Sequence, residues 1–255
     1  MTLETWIDYQ KGRGNRPGAE MGITLLNLYG DLPSTETQAE QVQTDPLADV
    51  VADFQAGRLN TPEAVTASWQ KRWQVWGGKI GLNIVVPAFE GSGEGLNQHL
   101  LKRDRPIYLP EELAAQTTRH LLGQIWPEMQ NYSVQKRNDV INEAQHVGWR
   151  YTEAVTAAPF LGTTEEALRN MIQRAGREGL TGNEYIIASQ DHKLLTGEYF
   201  DQGVTWSRLL LSRNDGRVFS TGFSPGGRLV VHWFLGPDSC YPSVGGRSSE
   251  GVKKA

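Results

Sequence analysis

Residues 204–235 read Val204-Thr-Trp-Ser-Arg-Leu-Leu-Leu-Ser-Arg213, Asn-Asp-Gly, Arg217-Val-Phe-Ser-Thr-Gly-Phe223, Ser-Pro-Gly-Gly, Arg228-Leu-Val-Val-His-Trp-Phe-Leu235. Two Gly-containing turns separate three runs rich in β-branched and aromatic residues. Consecutive antiparallel strands have this pattern, because Asn-Gly- and Gly-Gly-type turns supply the positive φ that tight hairpins need. A C-terminal β-meander is therefore expected, and the rest of the chain is read outward from it.

Immediately upstream, Glu184 to Ser189 reads as the beginning of the β-rich part. Before it, the helix following Gly162 is clearly punctuated. Thr163 or Thr164 can cap it, Glu165 and Glu166 suit the positive end of the helix dipole, and Gly176 ends it. Leu168, Met171, Ile172 and Ala175 form its apolar face. Ser133 to about Ala157 is expected to hold a long helix carrying Val140, Ala144, Val147 and Tyr151. Another is expected from Glu111 to Trp126, stopped by Pro127. The segment Lys79 to Phe89 reads as a buried strand, and Ile107 to Leu109 as an extended piece between Pro106 and Pro110. Thr61, Pro62 and Glu63 form a strong helix start, with Val65, Trp69, Trp73 and Trp76 on one face. Asp45-Pro46 opens a shorter helix through Phe54.

The first residues carry a basic Gly/Pro arm, Lys11 to Gly18, a short apolar run from Ile23 to Tyr29, and an acidic linker. The expected fold is α+β: a helical middle packed on a C-terminal antiparallel β-meander, with a loop-rich N-terminal arm. The expected divisions are an acidic arm over 1–60, a mainly helical region with one buried strand over 61–182, an antiparallel β region over 183–235, and a basic tail over 236–255.

Composition excludes several classes. The one cysteine, Cys240, rules out an internal disulfide and a cysteine-based zinc site. No apolar run approaches the roughly 20 residues that span a bilayer. The start, Met1 to Trp6, lacks a basic stretch followed by an apolar one, so a cytoplasmic protein, or one assembled in the cytoplasm, is expected. A net charge of −4 argues against nucleic-acid binding over the whole surface. The charge is uneven, however. Residues 31–63 hold seven acids (Asp31, Glu36, Glu40, Asp45, Asp49, Asp53, Glu63) against Arg58, whereas the bases dominate from 203 onward.

Four patterns bear on chemistry. Ala157 to Thr164 with the following helix resembles a helix-turn-helix, whose second helix would present Arg169, Gln173 and Arg174 to bases and phosphates. Pro159 and the two glutamates oppose that reading. Gly222-Phe-Ser224-Pro-Gly226 matches Gly-x-Ser-x-Gly, but it lies between strands and reads as a hairpin turn. Gly91 to Gly95 lacks both phosphate-loop spacing and a Walker lysine, so it reads as a loop. Glu143-x-x-His146 has helical metal-pair spacing without a second pair. No catalytic, cofactor or metal site is therefore assigned, and no cofactor is expected.

The meander arginines Arg208, Arg213, Arg217 and Arg228 remain as a partner or nucleic-acid face. The leading expectation is a non-enzymatic assembly subunit of a homomeric or phage-like particle. Self-association with other particle subunits would use interlocking arms, Trp-lined contacts and acidic-to-basic complementarity. A nucleic-acid-binding accessory protein is the second expectation. An enzyme whose site assembles from distant residues is the third.

Overall fold

The computed structural model describes residues 45–133, 140–214, 216–232 and 235–254. The chain divides into two compact units between Asp45 and Pro46, and all described residues except Asp45 belong to the second. The basic arm, the Ile23–Tyr29 run and the acidic stretch over 31–44 lie outside the described residues. So do Trp233 and Phe234 at the end of the expected meander.

The fold is α+β. The meander forms as its turn chemistry dictates, with strands β5 (Trp206–Asn214), β6 (Arg217–Phe223) and β7 (Leu229–His232) joined antiparallel. Ser224 sits in the β6–β7 turn, where its amide donates to the Arg228 carbonyl. Strand β2 (Val140–Asn142) adds antiparallel to β5. A further strand, β8 (Val244–Gly246), runs parallel to β5.

A second, fully antiparallel sheet has the order β1–β3–β9–β4. Its strands are β1 (Asp104–Leu109), β3 (Gly148–Glu153), β4 (Glu178–Gly179) and β9 (Ser248–Gly251). The C-terminal segment is thus not a free tail. It supplies one strand to each sheet and turns between them at Arg247 alone. Gly245 and Gly246 are required there, because a Cβ would lie 2.1 Å from the Pro159 carbonyl oxygen and 2.4 Å from Leu168 respectively.

The helices differ more from expectation. Helix α2 (Pro62–Gly78) forms where its start is written, with Thr61 accepting from the Ala64 amide, whereas helix α1 (Ala48–Gln55) begins after Leu47, with no side-chain cap from Asp45. The tryptophan stripe of α2 is core. Trp69, Trp73 and Trp76 are buried, and the indoles of Trp69 and Trp73 each donate at 3.1 Å to carbonyls of β1. The expected strand over 79–89 does not form: residues 79–81 make a turn, and 82–89 join no ladder. Gln70 of α2 takes the place of a partner strand, donating to the Ile84 carbonyl and accepting from the Val86 amide, while Thr66 accepts from the Phe89 amide.

Ser92 caps helix α3 (Gly93–Leu101), so the expected Gly-rich loop is largely helical. The helix expected over 111–126 is interrupted. Ala115 is extended and separates Glu111–Ala114 (α4) from Arg119–Ile125 (α5), with a short 3₁₀ turn over Gln116–Thr118, and the short helix α6 (Gln130–Ser133) follows. The helix expected over 133–157 is replaced by β2 and β3 in the described part. Gly148, at φ 86°, starts β3, whose Trp149 to Thr152 are all buried because both faces are covered, Trp149 and Tyr151 packing on Phe89 and Arg150 meeting Glu184. That two-sided burial removes the polar alternation by which a strand is recognised.

The largest correction concerns residues 182–196. Instead of opening the β region, they form helix α8 (Gly182–Thr196), whose polar residues Asn183, Glu184, Ser189, Gln190, Asp191 and His192 are buried along with its apolar ones. A helix buried on nearly all sides has no apolar stripe, so its period is hidden. Its punctuation is nevertheless present: Thr181 and Glu184 form a capping box, and Gly197 ends it in the left-handed conformation.

Between β8 and β9, the Arg247 guanidinium lies 3.2 Å from Asp201 and 3.9 Å from the Phe200 ring centre. Asp201 also accepts from Tyr185, Thr205 and Ser207. Neither member of the pair contacts solvent. Asp201→Ala strands a buried cation and should cost about 3–5 kcal/mol of unfolding free energy, read from urea titrations followed by circular dichroism. A loss below about 1 kcal/mol would show that the pair does not anchor the C-terminal strands.

Candidate functional site

Helix α2 places Val65, Ser68, Trp69 and Arg72 on one face, at the spacing that lines up successive turns. Opposite them, α8 presents Asp191 and Leu195, and β1 presents Arg105 and Pro106. Phe54 of α1 and Leu59 close the side. Together these elements bound a pocket of about 220 Å³. Most of its lining is apolar, and its ionisable lining residues are Arg72, Arg103, Asp104, Arg105 and Asp191.

Asp191 stands between two guanidiniums. Arg72 Nε lies 2.9 Å from Oδ1 and Arg105 Nε lies 3.3 Å from Oδ2. These are close ion pairs without directed hydrogen bonds. The buried atoms Arg72 Nε, Arg105 Nε and Asp191 Oδ1 all lack a hydrogen-bond partner. Arg72 is held otherwise by a 2.6 Å bond from Nη1 to Ser68 and by the Trp69 ring, 4.9 Å away. Burial pulls both guanidiniums below their ordinary pKa, and Asp191 opposes that pull.

Behind Arg105 lies His192. Arg105 Nη2 is 2.9 Å from His192 Nδ1. A guanidinium only donates, so Nδ1 accepts and the imidazole is neutral with its hydrogen on Nε2. Nε2 then donates to Thr156 Oγ1 at 3.2 Å, and Thr156 donates to Glu198 at 3.0 Å. Burial, reinforced by Arg105 and Arg247, pushes the His192 pKa down to about 3. Both ring nitrogens are therefore engaged.

The arginines expected to form one face are dispersed by the fold. Arg208 is buried and donates to the carbonyls of Thr163 and Ser239. Arg213 pairs with Glu143 and Glu165, and Arg169 shares Glu165. Arg217, Arg228, Gln173 and Arg174 are exposed. The helix-turn-helix expectation is corrected: residues 154–162 contain no helix, so helix α7 (Glu165–Arg174) has no first helix before it. That stretch instead holds β8, since the Gly246 amide donates to Pro159 and the Gly162 amide to Val244.

Glu143 and His146 do not share a helix turn. Glu143 pairs with Arg213, whereas His146 lies 2.8 Å from Glu184. Among the described residues no group of three or more His, Cys, Asp or Glu is placed to hold a metal ion. No helix among them is long and apolar enough to cross a membrane. In comparisons with known proteins, no family model, curated protein or solved structure matches the chain.

Arg72, Arg105, Asp191 and His192 were missed by sequence reasoning. Arg72 lies within the tryptophan stripe, and Asp191-His192 lies in the 183–235 stretch expected as an antiparallel β region. A buried-helix reading from the Thr181–Glu184 capping box would have shown that Asp191 and His192 needed partners.

His192 gives this site a pH signature. Its folded pKa lies below the ordinary 6.5, so the unfolded chain takes up a proton first as pH falls. Its contribution is therefore lost from about pH 6.5 downward toward about 3. Between pH 7.5 and 5.5 the loss should be about 1.4 kcal/mol. Comparing urea stability of the wild type with His192→Gln at both pH values isolates it, and equal pH slopes in the two proteins would contradict a buried neutral imidazole.

Proposed function

We propose that this protein binds a small molecule in the pocket between α1, α2, α8 and β1. The observation that carries this reading is a buried Arg72–Asp191–Arg105 ion-pair group, poorly aligned for hydrogen bonding, in the wall of a mainly apolar pocket. Concave, largely apolar sites with a few convergent polar groups are the usual form of small-molecule sites. An unmet buried donor or acceptor costs about 1–3 kcal/mol, which a ligand supplying the missing bonds would recover.

Recognition fits the arrangement better than catalysis. Guanidiniums do not exchange protons near neutral pH, Asp191 is held between two of them, and both His192 nitrogens are occupied. A reactive acid–base pair facing the pocket would be needed for the enzyme expectation. The features behind the assembly expectation have uses within the chain: the tryptophans form core, and the C-terminal segment forms β8 and β9.

Ligand-observed NMR tests the reading. A set of neutral, anionic and cationic fragments is screened against the full chain and against Leu59→Trp, which narrows the pocket from its half-buried side. Fragments that bind the wild type and lose binding in the variant are expected. If no fragment shows that loss while the variant keeps its circular dichroism spectrum, the pocket is not a binding site.

A further inference from the structure

Resting on the small-molecule reading, we infer that the ligand is a small monocarboxylate with an apolar body, its carboxylate received by the guanidiniums of Arg72 and Arg105. Three observations lead there. The first is charge. Arg72 and Arg105 face a single carboxylate, Asp191, and the imidazole behind them is neutral by its hydrogen bonding. Asp104, the other acid in the lining, is engaged outside this trio by Arg177 at 2.7 Å and by His99 at 3.0 Å, and Arg103, the third cation of the lining, is exposed to solvent. One positive charge is left without a counter-charge in a low-dielectric pocket, a costly condition that a single negative charge would relieve.

The second is geometry. Both guanidiniums are planar donor forks whose Nε atoms lie 2.9 and 3.3 Å from Asp191 without the alignment of a hydrogen bond, and a carboxylate offers two oxygens that match such forks. Arg72 is 1% exposed and its position is braced by Ser68 and Trp69. Arg105 is braced by His192 and by the Phe54 ring, 5.5 Å away. Both donors are therefore held in place before a ligand arrives, which limits the ordering cost of binding.

The third is size and lining. At about 220 Å³ the pocket exceeds the roughly 150 Å³ that encloses a benzene ring. It is smaller than the roughly 300 Å³ where drug-sized sites begin. One ring, or a branched chain of similar bulk, with a short acidic arm fits between Phe54, Leu59, Val65, Trp69 and Leu195.

Asp191 sets the selectivity. By cancelling one of the two cations it leaves a site matched to a monoanion, and it repels a second negative charge. A phosphate monoester of the same size should therefore bind more weakly than a carboxylate.

Calorimetric titration of the full chain with phenylacetate, phenylacetamide and phenyl phosphate tests the inference. Phenylacetate is expected to bind at least tenfold more tightly than the isosteric amide, and more tightly than the phosphate at pH 7.5. Arg105→Gln should lower phenylacetate affinity tenfold or more while changing the amide little. Asp191→Asn, which adds one net positive charge, should shift the preference toward phenyl phosphate, and this gain does not depend on Arg105→Gln folding. If the amide or the phosphate binds as tightly as the carboxylate, or if Asp191→Asn leaves the ratio unchanged, the inference falls. Should the amide bind wild type but not Leu59→Trp while phenylacetate fails to bind, the pocket reading stands and the carboxylate assignment alone is lost. Absence of any pocket-dependent ligand removes both.

Discussion

The ion pair between Asp201 and Arg247 has no contact with solvent, and the joining of the two sheets depends on it. Arg247 is the only residue between β8 and β9, so the place where the chain leaves one sheet and enters the other is fixed by one guanidinium. Asp201 receives it together with three hydroxyl donors, from Tyr185, Thr205 and Ser207. Such a pair offsets its own desolvation only when nearly every lone pair is used, as it is here for the carboxylate. The hydroxyl of Tyr185 comes from α8, so the same carboxylate also holds that helix against the strands.

Helix α8 is therefore central in a way that its polarity conceals. One end carries Glu184, which caps the helix and meets Arg150 and Ser249 of the β1–β3–β9–β4 sheet. Further along, Asp191 and His192 turn toward α2 and β1. Each buried polar residue of the helix is matched by a partner from a different element, which makes its placement specific as well as stable. The exception is the Arg72–Asp191–Arg105 group, where close approach is not accompanied by directed hydrogen bonds. Of the buried side-chain atoms without a hydrogen-bond partner among the described residues, Arg72 Nε, Arg105 Nε and Asp191 Oδ1 belong to residues lining one cavity, while His146 Nδ1, Ser220 Oγ and Arg247 Nη1 lie elsewhere.

Local punctuation was legible and long-range pairing was not. The Asn-Asp-Gly and Pro-Gly-Gly turns, the Thr61-Pro62 start and the Thr164 cap are short-range chemistry, and each forms the expected element. Two elements were hidden by one cause. Strand β3 and helix α8 are buried on more than one side, so neither shows the alternation or the stripe that distinguishes strand from helix. The Gly-rich Val244–Gly251 run was read as a tail because it is short and polar. Gly245 and Gly246 are there because the Pro159 carbonyl and Leu168 leave no room for a Cβ.

By itself the sequence determined the α+β class, the meander and the helices opened by Thr61 and Thr164, because turn and cap preferences act within a few residues of their origin. Only the tertiary structure decided where the charges meet. Arg72, Arg105 and Asp191 come from a helix, a strand and a second helix far apart in the chain, and no spacing encodes their approach. It likewise turned four arginines of an expected surface face into one buried strut, one ion-paired neighbour of Glu165 and two exposed side chains. The physical reason is that a side chain's charge is written in the sequence, whereas its solvent, counter-charge and hydrogen-bond partners are set by the packing of elements that the sequence does not place next to one another.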